Sequence, residues 1–151
     1  MPEKETVERA EQDRREGKAP GTQAGEFVKE EIEHIREGKH GARSAKQAIA
    51  IGLSKARRAG VKLPPPEKGK TSEETRKQAA RDLRKGQSSS NSKPSAKRSR
   101  ASSKALKREG RAAASKTALS RHATKAASSR TKAEGSRTAR KAARTRKKPR
   151  A

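Results

Sequence analysis

Sizeable apolar side chains are sparse in this chain, and they are unevenly placed. Leu, Ile, Val and Phe together occupy 13 of 151 positions, and nine of the 13 fall between Phe27 and Leu63. Their spacing there is helical. Ala24, Phe27, Val28, Ile32 and Ile35 recur near i, i+3, i+4, i+8 and i+11, one stripe of a helix over Thr22 to Glu37. Glu30, Glu31, Glu33 and Glu37 fall mainly on the other faces, where they read as a solvated acidic surface, and Gly38 is a stop. A second helix is marked at both ends. Ser44-Ala-Lys-Gln47 has the form of a capping box, while Gly60 and then Pro64-Pro65-Pro66 forbid continuation. Ala45, Ala48, Ile49, Gly52, Leu53 and Ala56 share one broad face of that helix. The small Ala48, Gly52 and Ala56 permit close approach of the first helix. Joined by about six residues, the pair reads as a helical hairpin over residues 22–63.

The flanks are weaker. Thr6 to Glu16 reads as a polar helix capped by Thr6 and stopped by Gly17, with only Val7 and Ala10 for a face, inside an acidic polar segment over residues 1–21. Thr71-Ser-Glu-Glu74 has the form of another capping box, and a marginal helix over Thr75 to Lys85 would end at Gly86, so residues 64–86 read as linker and marginal helix. Residues 87–151 are almost entirely Ser, Ala, Thr, Lys and Arg, with no apolar period. Ordering a residue costs about 1–2 kcal/mol of backbone entropy. Thirteen side chains worth about 1.5–3 kcal/mol each when buried would order about 35–50 residues. The expected fold class is therefore mostly disordered, with a small all-α helical hairpin and a long basic disordered C-terminal tail.

Charge sharpens the division. The chain carries +25, yet residues 1–37 hold 7 basic and 11 acidic residues. Residues 87–151 hold 21 Lys and Arg against 2 acids, a net +19. A segment of that kind suits a polyanion, since each neutralised phosphate releases condensed counterions. The tail positions expected to contact nucleic acid are Lys97, Arg98, Arg100, Lys104, Lys107, Arg108, Arg111, Lys116, Arg121, Lys125, Arg130, Lys132, Arg137, Arg140, Lys141, Arg144, Arg146, Lys147, Lys148 and Arg150. Weaker contacts are expected from the hairpin at Lys39, Arg43, Lys46, Lys55, Arg57 and Arg58, where a basic cluster at a helix C-terminus also suits the helix dipole. The acidic head is expected to fold back on the tail. One Phe and no Tyr or Trp leave no platform for base stacking, which favours duplex DNA, with RNA possible, over single strands.

Catalytic constellations are absent from the pattern. There is no Cys, His34, His40 and His122 are scattered, and Glu67-Lys-Gly-Lys-Thr71 lacks the first glycine of a P-loop. Ser88-Ser-Ser90 has no base nearby. His34 with Glu30, Glu31, Glu33 and Glu37 could in principle hold a metal, but a solvated face is the plainer reading, so no metal, no cofactor and no enzymatic activity are expected. No signal-like leader and no run of about 18 apolar residues is present, so no membrane span is expected, and the expected location is the cytoplasm and nucleoid.

Two resemblances bear on this. Residues 114–127 and 139–150 resemble, in composition, the Lys/Ala-rich tails of linker histones and bacterial histone-H1-like proteins. Ser44 to Gly60 follows S-x-K-Q-A-I-A-I-x-L-S-x-A-R-x-A-G and is similar to a small bacterial family of uncharacterised basic proteins. That likeness implies a bacterial origin and no established activity, although such proteins are often called DNA-binding. The expected function is nonspecific nucleic-acid binding of the nucleoid-associated, histone-H1-like kind. The alternatives are a hydrophilic stress-protective protein or an RNA- or ribosome-associated basic protein.

Overall fold

The computed structural model describes residues 1–88, 93 and 95–147, and these are helical throughout their regular parts. In chain order come α1 (Lys4–Arg15), α2 (Pro20–Arg36), α3 (Ala45–Arg58), α4 (Glu73–Gln87), α5 (Ala96–Lys107), a single 3-10 turn (Ala112–Ala114), α6 (Lys116–Ser128) and α7 (Lys132–Lys147). No strand occurs among the described residues. The chain divides into two compact units, Met1–Ser115 and Lys116–Ala151. The fold is all-α, and the expectation of a mostly disordered chain with a disordered tail is overturned.

The stripe read from the sequence does build the core. Ala10, Ala24, Phe27, Ala56 and Val61 form a buried cluster, with Val7, Leu53 and Leu63 packed on it. The hairpin of α2 and α3 forms, and it is enlarged on both sides: α1 packs on α2, α4 on α3, and the 3-10 turn on both α2 and α3. Four of the five stripe residues of α2 are buried, and Val28 lies half-buried against Gly52 of α3.

What orders more chain than the large apolar residues allow is close packing of small ones. Ala42, Ala45, Ala48, Ala79, Ala113 and Ala114 are all buried. Gly86 does not stop α4, which runs on to Gln87. Instead Gly86 is the point where α4 crosses the Arg57 carbonyl, and any Cβ there would collide with it. Polar groups complete the seams. Asp82, buried on α4, accepts from Ser54 Oγ at 2.7 Å and Arg58 Nε at 2.8 Å on α3, and from Gln78 Nε2 at 3.1 Å. Arg9 of α1 donates to Glu26 of α2 at 2.8 Å.

Helix ends follow local chemistry, with small shifts from the sequence reading. Gly17, Gly38 and Gly60 have the positive φ of helix stops. Ser44 accepts from the Gln47 amide at 3.2 Å, but Gln47 Oε1 accepts from the Arg43 amide rather than that of Ser44. The cap of α4 is Ser72, which accepts from the Thr75 amide at 3.3 Å. Thr6 is no cap: it is buried within α1 and accepts from Arg9.

The former tail is helical for a reason visible in its composition. Ala, Lys and Arg rank among the best helix formers. Before α7, Thr131 and Glu134 form a full reciprocal box, with the Thr131 amide donating to Glu134 Oε2 at 2.8 Å and the Glu134 amide to Thr131 Oγ1 at 3.2 Å. Residues 106–114 join the first unit through backbone bonds from Gly41 to Leu106 and from Ala42 to Gly110. No helix among the described residues is long and apolar enough to cross a membrane.

Candidate functional site

Of the tail positions, Lys97, Arg98, Arg100, Lys104 and Lys107 lie on α5, Lys116, Arg121 and Lys125 on α6, and Lys132, Arg137, Arg140, Lys141, Arg144, Arg146 and Lys147 on α7. Arg108, Arg111 and Arg130 lie between helices. All are exposed, and Lys148 and Arg150 fall outside the described residues. Helix formation sorts these charges. On α5, Lys97, Arg100, Lys104 and Lys107 share one face. On α7, Arg137, Arg140, Lys141 and Arg144 stand at i, i+3, i+4 and i+7, opposite the small Gly135, Ala139, Ala142 and Ala143.

The hairpin cations are used differently. Arg57 is buried, donating to the carbonyls of Leu63 and Pro64, and burial pulls its pKa below the usual guanidinium value. Arg58 is held by Asp82. Lys39 reaches Glu37 at 3.1 Å and Glu3 at 3.3 Å. Lys39, Arg43, Lys46 and Arg58 are all exposed, with Arg43 at 3.8 Å from Glu109.

Lys55 leads to a cluster that the sequence reading placed in solvent. Because α2 is covered by α1 on one side and α3 on the other, Glu30 and Glu31 are buried, at 2% and 0% exposure. The solvated acidic face is thus overturned for these two. Lys55 of α3 places Nζ 2.6 Å from Glu31 Oε2 and 3.4 Å from Glu30 Oε1. Glu30 Oε2 also accepts the Glu3 amide at 3.0 Å. After α2 the chain turns at Gly38 and brings His40 back, with Nε2 3.2 Å from Glu31 Oε1 and Nδ1 3.1 Å from the Gly41 carbonyl. His34, one turn beyond Glu31, meets Glu3 Oε1 at 2.9 Å. The two imidazoles stand edge to face, 6.3 Å apart. The hydrogen bonds from His34 and then Lys39 hold the Glu3 carboxyl below its ordinary range.

Two buried carboxylates therefore face one ammonium, and both oxygens of Glu31 lack a well-aligned hydrogen bond despite these close charges. A signal was present in the sequence. Glu31 and His34 are one turn apart, and Lys55 projects from the face of α3 that meets α2.

No curated protein and no solved structure matches the chain. The stretch around Ser44–Gly60, likened above to uncharacterised proteins, lies within a longer match that also holds Glu30, Glu31, His34, His40 and Lys55. Over residues 4–70 the chain is similar to a family described only as a family of unknown function (DUF6496).

Proposed function

We propose that this protein binds the phosphate backbone of nucleic acid, duplex DNA above all, through the cationic faces of its C-terminal helices. The observation that carries the reading is the row Arg137, Arg140, Lys141 and Arg144 on α7, all exposed and on one face. Like charges at this spacing cost a helix about 0.2–0.5 kcal/mol per pair. A polyanion lying along the row removes that cost and releases its own counterions. The single acid of α7, Glu134, is taken up by the Thr131 cap.

Backbone contact rather than base reading is favoured by the aromatic inventory. Phe27 is the one Phe, Tyr or Trp in the chain, and it is buried in the core at 1% exposure, so none is offered for stacking. The helical state of the basic segment replaces the draped, disordered tail. Its likeness to linker-histone tails is one of composition and supports no histone-like role.

The test is duplex binding as a function of salt. Neutralising about eight phosphates gives a slope of log K against log salt near −7. Replacing Arg137, Arg140, Lys141 and Arg144 together with Gln should bring that slope closer to zero by about 3 to 4. Unrelated duplexes of equal length should agree within about tenfold, since one direct base contact is worth about 1–3 kcal/mol. An unchanged slope in the fourfold variant would sink the proposal, and stronger competition by structured RNA would move the ligand from DNA to RNA. Weak binding at every salt concentration would favour a solvating, protective role.

A further inference from the structure

We propose that Glu31, His34 and His40 form a binding site for one divalent transition-metal ion, best matched by zinc. The inference is independent of nucleic-acid binding. It begins with proximity. One ligand atom from each of the three residues lies within 4.8 Å of the other two. Glu31 Oε1 and His40 Nε2 are already 3.2 Å apart, close to the edge of a tetrahedron with metal–ligand bonds of about 2.0–2.1 Å.

The second observation is an electrostatic gap. Both Glu31 oxygens are buried and without a well-aligned hydrogen bond, which is costly for a carboxylate unless a cation sits against it. Lys55 takes the Oε2 side. On the Oε1 side stands His40, whose protonation pattern is constrained by its other nitrogen. Nδ1 faces the Gly41 carbonyl, which can only accept, so Nδ1 carries the hydrogen. With the ring neutral, the Nε2 lone pair faces Oε1 at 3.2 Å, an arrangement relieved either by a proton on Nε2 or by a metal ion between the two atoms.

His34 is prepared in the same manner. Its Nε2–H donates to Glu3, leaving the lone pair of the neutral ring on Nδ1. Histidines that ligate metals usually have their outer N–H held by a carboxylate or a carbonyl, and here one of each is present. Glu31 and His34 sit at i and i+3 of α2. The His40 loop is fixed from outside by the Gly41 amide bonded to the Leu106 carbonyl at 2.9 Å. Two imidazoles and one carboxylate, with no thiolate, suit zinc or cobalt better than the all-oxygen preferences of calcium and magnesium. Glu30 adds a further negative charge within reach of Lys55, so the pocket keeps net negative charge for the ion to meet.

The experiment uses the full-length protein, stripped with chelator and titrated with Co2+ and Zn2+. One Co2+ per chain should bind with the intense visible bands of low-coordinate cobalt, and Zn2+ should displace it. His34→Gln or His40→Gln should weaken Co2+ at least tenfold. Glu3→Gln, which weakens the support of His34 and removes one partner of Lys39 while leaving the three ligands in place, should weaken it about tenfold. His122→Gln should change nothing. Because a core variant could lose its fold, the unsubstituted protein supplies a separate reading. On adding Zn2+, the imidazole 15N resonances of His34 and His40 should shift, while those of His122 stay. A protein that binds neither ion at micromolar concentration overturns the proposal, and so do shifts confined to His122. Glu31 would then be neutralised by Lys55 and a protonated His40 alone.

Discussion

Phe27→Ala should cost the first unit about 3–5 kcal/mol, and Phe27→Asp should unfold it. Phe27 is the largest fully buried side chain, at the centre of the cluster with Ala10, Ala24, Ala56 and Val61. Three of its buried neighbours, Ala10, Ala24 and Ala56, are alanines, which cannot swing in to fill the space left behind. The loss should therefore lie toward the upper end of the range. Domains have about 5–15 kcal/mol of stability in total, and an unpaired buried carboxylate consumes what remains. Denaturant unfolding followed by circular dichroism tests both. A midpoint unmoved in Phe27→Ala would mean that the core lies elsewhere.

The second large effect should come from one added methyl group. Replacing a mid-helix glycine by alanine ordinarily stabilises a helix by about 1 kcal/mol. At Gly52 of α3 the sign should reverse. A Cβ there would stand 2.6 Å from the Cα of Val28 and 3.0 Å from its nitrogen. These are backbone atoms of α2 and cannot rotate away, so the two helices must part. Overpacking of this kind costs about 1–3 kcal/mol. Parting α2 from α3 also draws Lys55 from Glu31, now 2.6 Å apart. Gly52→Ala should thus lower the denaturation midpoint and alter Co2+ affinity together. A higher midpoint would show that the helices are not in contact at this point.

Much of the hairpin could be read from sequence because its signals are local. The stripe from Ala24 to Ile35, the stops at Gly17, Gly38 and Gly60 and the Ser44 cap each depend on residues a turn or two apart. What could not be read depends on partners distant in the chain. Counting large apolar side chains undervalued the buried alanines, whose contribution comes from letting backbones meet. Gly86 looks like a stop until the Arg57 carbonyl lies against it. Glu30 and Glu31 look solvated until α1 and α3 enclose α2. In the basic segment, low hydrophobicity points to disorder while Ala, Lys and Arg prefer helix, and that preference prevails along α5, α6 and α7.

The bonds from Gly41 to Leu106, Ala42 to Gly110 and Arg36 to Ala114 carry a consequence for biosynthesis. They join positions roughly 65–80 residues apart, so a chain leaving the ribosome has made the whole hairpin well before it has made the segment that locks it. Such long-range closures form late and carry a loop-closure cost that local helices do not. The nascent protein should therefore pass through an interval in which α1 to α3 are folded while the His40 loop is open to solvent. Chains ending before Leu106 should be cleaved in residues 37–44 by a protease that spares chains ending at Ser115. Equal resistance of the two would place the closure elsewhere. On this timetable, an ion bound between Glu31 and His40 would be acquired during synthesis, before the loop is locked.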